Sequence, residues 1–112
     1  MDWNANRDHL MTNVGKLQQL SPDTLKGYLT ASGAGRKTAH LDEKTRQLIS
    51  LAVAVTTRCD GCISIHSNEA VRAGATREQL AEALGVAVAM NAGAALVYST
   101  RALEAFDEAT RA

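Results

Sequence analysis

The chain has 112 residues, and this length predicts a single domain spanning residues 1–112. Twelve Lys and Arg balance twelve Asp and Glu, so the formal net charge is zero. Because no basic stripe is present, we expect neither a nucleic-acid partner nor an anionic membrane partner. Hydrophobic residues make up 46% of the chain and aromatic residues only 4%. Alanine and leucine dominate the apolar content, which favours close-packed helices and predicts an all-α fold.

Two helices are predicted in the first third of the chain. Apolar side chains recur at helical spacing over residues 1–20 and indicate a weakly amphipathic helix. Ser21 and Pro22 are typical of an N-cap followed by the first position of a second helix. We expect this second helix to end near Gly33 and Gly35, with residues 33–40 forming a polar loop.

The middle of the chain predicts two further helices. Asp42 is a plausible N-cap for the third helix, which is apolar on every side over residues 48–55. Such a helix must be covered all round, either by its own domain or by another subunit. Residues 59–62 open the fourth helix, and Gly74 is a natural C-terminal stop for it.

The last third of the chain predicts two helices separated by a break. Thr76 and Gln79 resemble a capping box that starts a helix of about four turns. Residues 91–93 (Asn-Ala-Gly) are expected to break or kink the chain before the last helix. Residues 80–97 are long enough to span a membrane, but Glu82 lies among them, so we expect a helix buried against other helices.

The sequence Cys-x-x-Cys-x-x-x-His at Cys59, Cys62 and His66 carries the candidate chemistry. On a helix, Cys62 and His66 lie one turn apart on the same face. Cys59 lies at the helix entrance, close enough to form a disulfide with Cys62, and the helix N-terminus favours thiolate over thiol. The pattern therefore predicts a redox-active dithiol with His66 as its proton-handling partner.

The expected location supports a chemical role for the pair. The polar N-terminus has no signal-peptide pattern, so we expect a cytoplasmic protein, and structural disulfides are rare in that compartment. Closing so short a loop would also remove little entropy from the unfolded chain.

A zinc site is the main alternative, along with two inert core cysteines. Cys59, Cys62 and His66 could supply three ligands, with His40 or His9 as a fourth. Structural zinc sites usually show two clear ligand pairs, and the second pair is missing here. We therefore predict no metal and no cofactor.

At this point the sequence resembles a known family. Residues 46–55, the motif at 59–66, Ala70 and Gly74 together resemble the carboxymuconolactone decarboxylase family, and more closely its alkylhydroperoxidase D-like (AhpD-like) branch. The resemblance covers about residues 40–105. It implies an all-α, AhpD-like helical bundle that assembles as a trimer or hexamer.

The resemblance also implies a division of labour at the motif. Cys62 would be the peroxidatic cysteine that attacks a hydroperoxide substrate and becomes a sulfenic acid. Cys59 would resolve that acid into a disulfide, and His66 would act as base and proton shuttle. An external dithiol reductant would then restore the reduced pair.

One position departs from the branch's pattern, which has a glutamate twelve residues before the first cysteine. Here that position is Gln47, which can orient a histidine but cannot take up a proton near neutral pH. Glu43 lies one helical turn earlier on the same face. We expect Glu43 to substitute in part for the missing carboxylate in a proton relay.

Two other functions remain open from the sequence. One is a non-redox enzyme of decarboxylase type acting on a small lactone acid, although the intact dithiol argues against it. The other is a zinc-binding or redox-sensing module.

Overall fold

Five helices and no strand make up the fold in the computed structural model, which describes residues 1–112. The helices are α1 (Trp3–Leu20), α2 (Pro22–Thr38), α3 (Glu43–Thr57), α4 (Asp60–Arg72) and α5 (Arg77–Thr110). The predicted all-α fold is confirmed.

Local capping starts and stops most helices where the sequence predicts. The Asp42 side chain accepts a hydrogen bond from the Thr45 backbone N–H at 2.8 Å and caps α3. Thr76 and Gln79 form the reciprocal capping box that begins α5. Gly74 has a φ of +83°, which glycine adopts without strain, and the chain leaves α4 there.

The second helix is longer than predicted. It continues through Gly33 to Thr38, so the expected polar loop at 33–40 is wrong for most of its length. A glycine inside a helix costs only about 1 kcal/mol relative to alanine, which neighbouring contacts can offset. Ala39, in the left-handed region at a φ of 54°, ends the helix instead. The extra turn carries Arg36, whose guanidinium binds Glu43.

The predicted break at residues 91–93 is also wrong, because α5 runs uninterrupted for 34 residues. The Asn91 side chain donates to the Ala87 carbonyl at 2.7 Å, within the same helix. It also donates to the Thr56 hydroxyl on α3 at 3.0 Å. The polar side chain therefore ties α5 to α3 instead of ending the helix.

The core is small and lies along one face of α3, which packs against both α4 and α5. Gln47, Leu51 and Ala54 are buried there at helical spacing. On the outer face, Ile49 and Val53 remain about half exposed. The chain therefore covers only one side of the helix that the sequence predicts to be covered all round.

An unusually large surface accompanies this small core. The accessible area is 8646 Å², whereas a compact monomer of this mass would expose about 6,000 Å². The radius of gyration is 18.8 Å, against about 13 Å for a compact chain of this length. The chain is thus extended and leaves much apolar surface uncovered.

The longest helix, α5, contributes heavily to that uncovered surface, since Ala87 is its only buried residue. The expectation that residues 80–97 form a buried helix is therefore wrong within one chain. Length and composition alone would allow α5 to cross a membrane. The large apolar side chains that it exposes include Val88, Leu96 and Val97.

Replacing Leu51 by alanine tests the position of the core. Leu51 is only 3% exposed, so Leu51→Ala should lower the free energy of unfolding by about 2–5 kcal/mol through lost burial and a residual cavity. Leu20 is 85% exposed, and Leu20→Ala should change the free energy of unfolding by no more than about 0.5 kcal/mol. Urea denaturation at one protein concentration measures both, and equal losses would contradict the assignment.

Candidate active site

The junction between α3 and α4 brings the two cysteines together. Arg58 adopts the left-handed conformation, with a φ of 55°, and ends α3. Cys59 is the N-cap of α4, and its sulfur accepts a hydrogen bond from the Cys62 backbone N–H at 3.1 Å. A disulfide joins Cys59 and Cys62, whose Cα atoms lie 5.2 Å apart. Both residues are partly exposed, and they lie at the start of α4.

The first helix packs directly over this motif, which the sequence did not indicate. A Cβ on Gly61 would lie 2.8 Å from the Leu10 side chain, so glycine lets α1 approach closely. Arg7 also donates to the Ser64 carbonyl at 3.3 Å. A cleft of about 320 Å³ remains between α1 and the motif. Its lining residues are Met1, Trp3, Asn6, Leu10, Asp60, Gly61 and Ser64.

A hydrogen-bonded chain leads away from the motif on the α3 side. The Nδ1 atom of His66 lies 2.8 Å from Oε1 of Gln47. Nε2 of Gln47 donates to Oε1 of Glu43, also at 2.8 Å. Gln47 is buried, and both bonds are shielded in part from water. Hydrogen bonds thus connect three of the predicted site residues, His66, Gln47 and Glu43. Cys62 lies one turn before His66 on α4.

Two arginines extend this hydrogen-bond network, and the sequence analysis did not identify them as site residues. Arg36 and Arg46 donate to the two carboxylate oxygens of Glu43 at 3.0 and 2.8 Å. Arg46 follows Glu43 by three positions, so helical spacing alone could have indicated that pair. Arg36 reaches Glu43 only because α2 continues past Gly33, and no local pattern signals that contact.

The same contacts keep the Glu43 carboxylate ionised. Hydrogen bonds from Arg36, then from Gln47 and Arg46, lower the pKa of Glu43 to about 2. Near neutral pH, Glu43 is therefore a fixed negative charge that accepts hydrogen bonds and takes up no proton.

The surroundings of His66 favour its neutral form. Burial lowers the pKa of the imidazole below its ordinary value, and the positive charge of Arg36 acts in the same direction. The negative charges of Glu69 and Glu43 oppose this effect without cancelling it. A neutral imidazole can accept a proton, so His66 is suited to act as a base near neutral pH.

The candidate fourth zinc ligands lie on the surface. His9 is exposed and pairs with the Asn13 side chain at 3.1 Å, and His40 is exposed as well. No group of three or more His, Cys, Asp or Glu side chains converges with metal-binding geometry.

Titration of His66 followed by NMR checks this electrostatic environment. We expect a midpoint below 6.5, because burial disfavours the imidazolium. The folded state then binds this proton at lower pH than the unfolded chain does. The free energy of unfolding should therefore fall as the pH drops from 6.5 through the folded pKa. Glu69→Gln should lower the midpoint further, and a wild-type midpoint at or above 6.5 would contradict the assignment.

The sequence is similar to a known protein family and to bacterial proteins. A sequence model of the carboxymuconolactone decarboxylase family matches residues 22–105. An uncharacterized protein of Haemophilus influenzae is 50% identical over 105 residues, which are 94% of this chain and 93% of that protein.

Two crystal structures are similar to this chain over most of its length. One is the apo form of a carboxymuconolactone decarboxylase family protein from Legionella pneumophila, with a TM-score of 0.75, 40% identity and coverage of 95% of both chains. The other, from Methanobacterium thermoautotrophicum, has a TM-score of 0.71 and 32% identity, covering 80% of this chain and 97% of that one. The chain therefore belongs to the carboxymuconolactone decarboxylase family, and its resemblance to the alkylhydroperoxidase D-like branch is consistent with that membership.

Proposed function

We propose that the protein is a thiol-dependent peroxidase of the alkylhydroperoxidase type, acting through the Cys59–Cys62 pair. The observation that carries this proposal is a disulfide at the start of α4, with a partly buried histidine one turn further along the same helix. A helix N-terminus stabilises a thiolate, and a neutral histidine nearby can take the thiol proton.

In the first step, the Cys62 thiolate attacks the terminal oxygen of an alkyl hydroperoxide. The O–O bond breaks and a sulfur–oxygen bond forms, which oxidises Cys62 to a sulfenic acid and reduces the peroxide to an alcohol. The proton that His66 took from the Cys62 thiol passes to the leaving alkoxide, so His66 returns to its neutral form.

The second step closes the disulfide. Cys59 attacks the sulfenic sulfur, and the hydroxyl group leaves as water. Two exchange reactions with an external dithiol then reduce the Cys59–Cys62 bond and leave the donor as a disulfide. A reducing cytoplasm would supply such donors, and we propose that location for the protein.

A related disulfide oxidoreductase is the second candidate. Gln47 accepts no proton, so the relay ends at His66 and lacks a second proton acceptor in direct contact with it. Thiol–disulfide exchange needs only a thiolate and a leaving thiol. The same pair could therefore exchange disulfides even if its reaction with peroxide were slow.

Counting thiols tests the peroxidase directly. The reduced wild-type protein should lose both of its thiols when it is treated with one equivalent of an alkyl hydroperoxide. Cys62→Ser should lose none, because the attacking sulfur is gone. Cys59→Ser is the matched control and should form a sulfenic acid at Cys62 that a cyclic diketone traps. Thiols that stay unchanged in the wild type, but react with a small disulfide, would favour the second candidate.

We also propose that the protein works as a homo-oligomer, a trimer or hexamer by its resemblance to the family. The protomer exposes roughly 2,600 Å² more than a compact monomer of its mass would. A stable interface buries about 800 Å² on each partner, so this excess is large enough for more than one interface. Residues 83–100 carry no charge, and a second copy of the chain would cover them.

Sedimentation analysis checks the assembly. The wild type should sediment as a trimer or hexamer. Leu96→Glu combined with Val97→Glu should shift it toward smaller species, because charges would be buried without partners. Leu20→Glu, at an exposed position on α1, is the control and should leave the assembly intact. A stable wild-type monomer would contradict this proposal.

A further inference from the structure

We propose that Glu43, acting through the side-chain amide of Gln47, fixes His66 in the tautomer that carries its proton on Nδ1. Nε2 is then left as the unprotonated nitrogen available to the dithiol. The consequence for catalysis depends on the peroxidase proposed above, whereas the tautomer itself does not. Gln47 and Glu43 are positioning residues in this arrangement, because neither needs to touch the substrate.

The first step of the inference concerns what Glu43 can offer its neighbours. Guanidinium groups of Arg36 and Arg46 donate to both of its oxygens, so the carboxylate is ionised and acts only as an acceptor. Any side chain that bonds to Glu43 from the other side must therefore present a donor.

The second step concerns the orientation of the amide. Gln47 has a donating NH₂ group and an accepting oxygen, and only the NH₂ group can bond to Glu43. If the amide were turned over, its oxygen would lie 2.8 Å from a carboxylate oxygen, with two acceptors facing each other at a part-buried contact. Glu43 therefore directs the amide oxygen of Gln47 toward His66.

The third step concerns the ring. An amide oxygen only accepts, so Nδ1 of His66 must carry the hydrogen that joins them at 2.8 Å. A neutral imidazole has a single N–H, which leaves Nε2 with its lone pair. Nε2 makes no hydrogen bond within the chain, so the basic nitrogen stays free for the thiol proton of Cys62.

Glu69 provides a matched comparison on the same helix as His66. Its negative charge also raises the pKa of His66, as that of Glu43 does. Its carboxylate pairs with Arg72 at 3.6 Å and makes no hydrogen bond in the chain that reaches Gln47. Glu69→Gln thus removes one negative charge, as Glu43→Gln does. It leaves the Glu43 carboxylate, which orients the Gln47 amide, in place.

The test is ¹⁵N NMR of the histidine side chains in the reduced protein above the His66 titration, with His66→Asn used to assign the signals. The wild type should show a protonated Nδ1 and an unprotonated Nε2. In Glu43→Gln, the partner of Gln47 can donate as well as accept, so a substantial fraction of the protein should carry the proton on Nε2. Glu69→Gln should keep the wild-type tautomer.

Three results would overturn the inference. They are a wild-type proton on Nε2, an unchanged tautomer in Glu43→Gln, and an equal change in Glu69→Gln. If Glu43→Gln fails to fold, Gln47→Met decides instead. It removes the acceptor that holds the Nδ1 proton, so a substantial fraction of the protein should carry the proton on Nε2, whereas a proton kept on Nδ1 would count against the inference.

Kinetics separate this inference from the proposed function. Glu43→Gln should slow thiol oxidation by an alkyl hydroperoxide about threefold to tenfold through kcat, with little change in KM, while Glu69→Gln should stay within twofold of the wild type. Wild-type thiols that never react with peroxide would refute the peroxidase and leave the NMR result to decide the tautomer. A predicted tautomer change with no loss of rate would refute its catalytic role alone.

Discussion

The carboxylate of Glu43 joins the parts of the protein on which the candidate site depends. It receives Arg36 from the last turn of α2 and Arg46 from its own helix, and through Gln47 it connects to His66 on α4. Each bond is directional, and the buried amide has only one orientation that satisfies both of its neighbours. The side chain of one glutamate thus connects the end of α2 to the His66 ring, one turn beyond Cys62 on α4.

Directional hydrogen bonds order the candidate site, although the apolar core of the chain is small. Leu51 and Ala54 on α3 and Ala87 on α5 are buried, and only four other residues of the chain are. Hydrogen bonds such as the one between Asn91 and Thr56 add direction where apolar area is scarce. The uncharged surface of α5 is left uncovered by the chain itself, so the proposed assembly would add burial, and with it stability, that a single chain does not provide.

Sequence patterns succeeded where local chemistry decides the outcome. The caps at Asp42 and Thr76 and the motif at Cys59 follow from side chains that bond to the nearest backbone groups. The same local rules failed at Gly33 and at residues 91–93, where a weak helix-breaking tendency of about 1 kcal/mol was outweighed. In both places a side chain bonds to another helix, Arg36 to Glu43 and Asn91 to Thr56. Such contacts between helices produce no periodic pattern in the sequence.

The sequence by itself therefore determined the all-α class, the paired cysteines at a helix start and the histidine one turn later, because helical spacing alone relates those residues. Only the tertiary structure decided that α1 covers Gly61 and that Arg36 reaches Glu43. It alone decided the direction of the Gln47 amide as well. These features depend on how helices that are distant in the sequence pack together, and packing is set by all the contacts at once.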